Sequence, residues 1–224
     1  VSFSPAETPV AAAFERIPLP AGELLFYPAV FADCAPGWFE SLREQACWQQ
    51  PKITLFGRQM LMPRLVAWYG EPGATYAYSG LRHEPMPWTK ELQRIRALVE
   101  TLLSTPFNSA LLSLYRDGQD SVGWHSDDEP ELGRRPCIAS LSLGAVRRFE
   151  LRPRDGSSPI RRLDLPSGSL LLMKGDTQLH WRHRVPRARG VVGPRINITF
   201  RRVQSGAQVS HPPRRHLPAA SHGR

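Results

Sequence analysis

From residue 109 to residue 203 the chain repeats one pattern: a short stretch of alternating apolar residues, then a turn signal. The stretches are 109–116, 137–143, 147–152, 160–165, 169–174, 180–185 and 195–203. In an extended chain residues i and i+2 share a face, so each stretch presents one apolar side and one free for other work. Many short strands at even spacing are the pattern of an all-β sandwich or barrel. This half of the chain is therefore expected to close two sheet faces around a common interior.

The first half reads differently. GELLFYPAVF (22–31) is a short strand leading into a turn. Pro36 suits an early helical position, and Trp38, Leu42 and Gln45/Ala46 follow on one stripe, so a helix is expected over 36–48. ITLFGRQMLMPRLVAWYG (53–70) reads as a hairpin with its turn at Phe56-Gly57-Arg58. A second helix is expected over 88–104, where Leu92, Ile95, Leu98/Val99 and Leu102 make a core-facing stripe. The fold class is thus α+β with a mainly β core. The Ala- and Pro-rich residues 1–22 are expected to be flexible, and residues 204–224, with three prolines and no acidic residue, to form a disordered basic tail.

Hydrophobic residues make up 41% and charged residues 22% of the 224, values of a soluble globular chain, and no apolar run is long enough to span a membrane. The N-terminus shows no secretory pattern, so the cytoplasm is expected, or the nucleus in a eukaryote. Cys34, Cys47 and Cys137 lie far apart, which suits reduced thiols buried as small hydrophobes and argues against a disulfide framework. A net charge of +9 favours a polyanionic partner, nucleic acid being the commonest; an arginine-rich proteome is the bland alternative.

Chemistry concentrates in SLYRDGQDSVGWHSDDEPE (113–131). On a strand, His125 and Asp127 project from the same face, and an imidazole, a carboxylate and one further histidine make the facial triad of non-heme Fe(II) oxygenases. The third ligand must come from another strand. His180 and His183 in LHWRHRVP are the candidates; their spacing puts them on opposite strand faces, and periodicity does not choose between them. PRINITFRR (194–202) adds a second element: Arg195, Asn197, Thr199 and Arg201 share one face, Ile196, Ile198 and Phe200 the other. Two inward arginines are costly to bury without anions, and a dicarboxylate would satisfy them bidentately. Ser113 and Tyr115 alternate in the same way and could hydrogen-bond that ligand.

His125-x-Asp127, a later histidine before Val-Pro, and RINITFR together resemble the AlkB family of Fe(II)- and 2-oxoglutarate-dependent dioxygenases over roughly residues 53–203. WHSDDEPELG and WRHRVP are similar to the branch acting on single strands and RNA, while LFGR…MPR and TYAYSG are similar to the duplex-DNA branch. The resemblance implies a double-stranded β-helix (jelly-roll) over 106–203, with N-terminal helices and a nucleotide-recognition lid over 23–105. It selects His183 as the third ligand and leaves His180 structural. It assigns Arg195 to the distal carboxylate of 2-oxoglutarate, with Tyr115 as partner and Asn197 and Arg201 nearby. Ser113 stands where the family usually carries Asn.

The implied reaction consumes 2-oxoglutarate and O₂, hydroxylates an N-methyl group on DNA or RNA, and releases succinate, CO₂ and formaldehyde. To reach the metal the base must leave the stack. By resemblance Tyr78 and the His125 ring would sandwich it, with Tyr76, Ser79, Asp128 and Glu129 around it. Carboxylates suit the positive charge of N1-methyladenine and N3-methylcytosine. Without the resemblance, Tyr76 and Tyr78 read as cross-strand packing, and Asp128 and Glu129 as a solvated acidic turn. Phe56 resembles a finger that fills the gap left by the base, or else folds back onto the core. Arg58 and Arg64 are expected to grip flanking phosphates, and the arginines between 182 and 202 to extend a phosphate track. A monomer is expected.

Overall fold

The structure, a computed structural model, describes residues 13–55, 57–78 and 81–204. Phe56, Ser79 and most of the expected tail lie outside them, as does the start of the expected flexible segment. The end of that segment is regular: β1 (Glu15–Leu19) pairs antiparallel with β2 (Gly22–Tyr27).

Two sheets make the core. The larger has seven strands in the order β1, β2, β13 (Leu170–Lys174), β10 (Ile138–Gly144), β15 (Arg195–Arg201), β8 (Ser109–Tyr115), β5 (Leu65–Gly70). The smaller has four: β12 (Arg161–Leu165), β11 (Arg147–Pro153), β14 (Trp181–Val185), β9 (Val122–His125). This is the jelly-roll architecture. All pairings between named strands are antiparallel. Neighbours in space are often distant in sequence, which alternation alone does not reveal. The larger sheet also crosses residue 106, drawing β2 and β5 from the segment expected to form helices and lid and β1 from the segment expected to be flexible.

Strand alternation divides the interior in two. Ile196, Ile198 and Phe200 join Leu112, Leu114, Leu141 and Leu143 on the outer side of the larger sheet, under the helices. Tyr115, Ile138, Phe149, Leu151, Leu171, Met173 and Trp181 fill the space between the sheets. Helix α1 (Ala35–Gln45) has Pro in its first turn and buries Trp38, Phe39 and Leu42. Helix α2 (Lys90–Leu103) starts where the Thr89 side chain accepts a hydrogen bond from the Leu92 amide, and buries Leu92, Ile95, Leu98 and Val99. Burying these stripes at about 25 cal/mol per Å² is what holds the helices to the sheet. At Gly168 (φ 79°) an added Cβ would lie 2.4 Å from the Ala32 nitrogen, so only glycine lets the turn before β13 pack on the chain after β2.

Several boundaries differ from the periodic reading. The expected 53–70 hairpin is three strands: β3 (Lys52–Leu55) pairs with β4 (Arg58–Leu61), while β5 leaves to pair with β8. The small hairpin is closed at its base by the Met62 amide donating to the Pro51 carbonyl (2.9 Å). A second small hairpin pairs β6 (Tyr76–Tyr78) with β7 (Leu81–His83). His180 ends a helical turn, α3 (Thr177–His180), and does not belong to the following strand. None of the cysteines is in a disulfide, and Cys47, expected to be buried, is exposed.

Candidate active site

The site lies between the two sheets. His125 ends β9 and faces His183 of β14 directly across the ladder. Their ring centroids are 4.2 Å apart. Asp127 lies two residues beyond His125, past the end of the strand, so strand geometry alone does not aim it. Its loop is held by three contacts: the Ser126 hydroxyl donates to the Trp181 carbonyl (2.7 Å), the Asp127 amide donates to Gln178 Oε1 (2.9 Å), and Arg154 donates to Ser126 Oγ (2.9 Å). The ligand atoms of His125, Asp127 and His183 then lie within 4.8 Å of one another, with His183 Nε2 3.6 Å from Asp127 Oδ2. His180 is exposed and outside this group.

The electrostatics suit a divalent cation. Burial pushes the His183 imidazole down to about 3, and burial likewise lowers His125, so both rings are neutral at neutral pH. Burial by itself would raise the Asp127 carboxyl, but the Arg201 guanidinium with both histidines outweighs it and holds the group at about 2. Arg201 Nη2 donates to Asp127 Oδ1 (2.5 Å). His125 Nδ1 lies 2.9 Å from the Gly123 carbonyl; a proton there leaves Nε2 to ligate. Two neutral imidazoles and one carboxylate on converging atoms fit Fe(II).

The larger sheet supplies the opposite wall. Arg195 stands across from Tyr115, and Asn197 across from Ser113. Arg195 is 1% exposed. Its Nη2 donates to Ser142 Oγ (2.9 Å) and Asn197 Oδ1 (2.7 Å), and its guanidinium lies 5.2 Å over the Tyr115 ring. Nε and Nη1 of Arg195 have no hydrogen-bond acceptor of good geometry, and no carboxylate among the described residues pairs with it. Burial pushes its pKa down to about 10, still charged at neutral pH. A buried cation with unused donors fits a carboxylate of a small acidic ligand. Arg147, on the same ring at 5.4 Å, donates from Nη1 and Nη2 to the carbonyls of Asp117, Asp120 and Pro186, while its Nε has no acceptor.

The structure brings His125, Asp127, His183, Ser113, Tyr115, Arg195, Asn197 and Arg201 around one cavity. Arg64, expected beside Arg58 as a phosphate contact, joins them on the cavity wall. It is 6% exposed and points inward, with Nε 3.3 Å from Ser113 Oγ and Nη1 3.5 Å from the Ser121 carbonyl. Asp128 is exposed and ion-paired with Arg154. Glu129 is half-buried. Arg58 is exposed on β4, where every residue is exposed. Tyr76 and Tyr78 lie on β6. Periodicity misses Ser126, Gln178, Arg154 and Arg147, because polar residues that bind backbone carry no apolar signal.

Comparison with known proteins agrees with this geometry. The model of the 2OG-Fe(II) oxygenase superfamily matches residues 28–201. DNA oxidative demethylase ALKBH2 of Bos taurus is 43% identical over 159 residues, covering 68% of this chain and 57% of that protein. Alpha-ketoglutarate-dependent dioxygenase alkB homolog 3 of Bos taurus is 43% identical over 182 residues, covering 77% and 63%. DNA oxidative demethylase ALKBH2 of Arabidopsis thaliana is 35% identical over 219 residues, covering 84% and 69%. The solved structure of OsALKBH1 shares the fold, with a TM-score of 0.57 at 14% identity over 84% of this chain and all of that one. The chain belongs to the 2OG-Fe(II) oxygenase superfamily and, within it, to the AlkB family. It spans 57% and 63% of the lengths of the two bovine relatives.

Proposed function

We propose that the chain is an Fe(II)- and 2-oxoglutarate-dependent dioxygenase that demethylates N-alkylated DNA bases such as N1-methyladenine and N3-methylcytosine. The observation that carries this reading is the shared cavity: the His125/Asp127/His183 group and the buried Arg195, with unused donors, line one space between the sheets. One side asks for a metal and the other for a carboxylate. When bound, the metal, O₂ and 2-oxoglutarate supply the oxidising equivalents for hydroxylation of the N-methyl carbon. The chain supplies placement. Arg201 keeps Asp127 ionised and oriented, Arg195 and Tyr115 hold the distal carboxylate, and Phe149, Met173 and Val185 restrict water around them.

DNA is supported by the relatives' names, by the net charge of +9 and by the small hairpin that projects Arg58 into solvent. Among the described residues, no helix is long and apolar enough to cross a membrane; work in the cytoplasm or nucleus belongs to the same reading. Glu129 and Asp128 would favour a cationic lesion, Asp128 sharing its charge with Arg154. The test is formaldehyde and succinate release from the same lesion in single-stranded DNA, duplex DNA and RNA. Equal yields of the two products from at least one DNA form, abolished by chelation, are expected. Release from RNA alone would move the substrate to RNA; no formaldehyde from any of the three would overturn the reading.

A further inference from the structure

The run Ser126-Asp127-Asp128 sets two carboxylates side by side, and each meets an arginine from another part of the chain. Asp127, in the interior, pairs with Arg201 of β15. Asp128, exposed, pairs with Arg154 from the turn that follows β11. A surface ion pair of this kind adds little to stability. Arg154 is nevertheless fixed in place by groups other than Asp128. Its Nη2 donates to Ser126 Oγ at 2.9 Å and lies 3.3 Å from the Gln178 carbonyl, and its amide donates to the His180 carbonyl at 2.8 Å. The loop before Asp127 and the turn α3 thus hold one cation beside the metal loop, whichever way the Asp128 side chain points.

That cation changes what Asp128 offers to a base. A bare carboxylate next to a metal ligand attracts a base that carries a positive charge and gives a neutral base nothing. Paired with a guanidinium, the same carboxylate presents almost no net charge, and a cationic base must compete with Arg154 for it. Specificity is a difference between two affinities, so a group that weakens only one of them sets the ratio. We propose that Arg154 is a specificity-determining residue: by occupying Asp128 it narrows the preference for cationic over neutral methylated bases. The proposal rests on the reading above that sets Asp128 beside the target base. It gives a function to an ion pair that the fold does not need, at a residue that touches neither the metal ligands' side chains nor the larger sheet.

The test measures binding without turnover, by fluorescence anisotropy on the full chain loaded with Mn(II) in the absence of O₂. Two labelled single-stranded oligonucleotides differ in one base: N3-methylcytosine, which is cationic, or N3-methylthymine, which is neutral and of similar size. The readout is the ratio of their affinities, which cancels any phosphate contact or loosening of the loop that affects both strands alike. Arg154→Gln should shift the ratio towards N3-methylcytosine by about threefold, the size of one exposed ion pair. Arg154→Met keeps the apolar stem and gives the same readout should the Gln variant not fold. Asp128→Asn should shift the ratio the other way, and adding Arg154→Gln to Asp128→Asn should leave it where it is, since the partner is gone. A ratio that is unchanged or lowered in the folded Arg154 variants would overturn the proposal, as would a rise that persists with Asn at position 128. If the unsubstituted protein prefers neither methylated strand to an unmodified one, the parent reading falls, and this proposal with it.

Discussion

At the scale of single residues, the two histidines of LHWRHRVP separate on burial. His183 lies in the interior across the ladder from His125, while His180 is solvent-exposed at the end of a helical turn. His183→Ala should therefore abolish Fe(II) binding, and His180→Ala should leave it intact; Co(II) absorption of the two variants checks this. Arg147 makes a second case. It is 2% exposed and joins three backbone carbonyls from two loops. Arg147→Met strands those acceptors and should cost about 3 kcal/mol or more in denaturant unfolding. Asp120 links stability to pH. Burial would raise its carboxyl, but hydrogen bonds from the Arg116 side chain and amide hold it below its usual 3.8. A depressed folded pKa contributes stability that is complete above the unfolded value and disappears as pH falls through the folded one. Asp120→Asn should thus lower the melting temperature at pH 7, with the difference from the unsubstituted protein shrinking below about pH 4.

At the scale of elements, the small hairpin β3–β4 stands outside both large sheets and exposes all of β4, including Met60 and Leu61. An apolar surface kept in solvent on a two-stranded ribbon is costly unless it meets something. Phe56, at its tip in the sequence, is proposed to occupy the hole left by an extruded base. Phe56→Ala should then cut activity on methylated duplex far more than on the same lesion in a single strand; an equal fall in both with a lower melting temperature would retire that role. Helices α1 and α2 were legible from the spacing of Trp38, Leu42, Leu92, Ile95 and Leu98, because each buries one stripe on one neighbour. The 53–70 segment was not. Apolar alternation marks β5 as a strand but does not say that its partner is β8 and not β4.

At the scale of the whole molecule, the larger sheet is completed by β1 and β2, with β2 covering the edge of β13. Removing residues through Tyr27 would expose buried Leu170, Leu171 and Leu172 beside unpaired backbone. The truncated protein should lose its cooperative thermal transition, as circular dichroism would show, although every proposed ligand remains. By itself the sequence determined the strand faces, and with them the inward row Arg195, Asn197, Thr199 and Arg201, because side-chain period two is a local property of extended backbone. It also determined the residue types of the metal group, since His-x-Asp states its chemistry without its surroundings. Only the tertiary structure decided that the Asp127 loop, beyond its strand, is held by Gln178 at Asp127 and by Trp181 at Ser126, 51 and 55 residues away, and that Arg64 turns inward. Those outcomes depend on which distant elements become neighbours, and on whether a buried charge finds its partner there, neither of which is written in the spacing of residues along the chain.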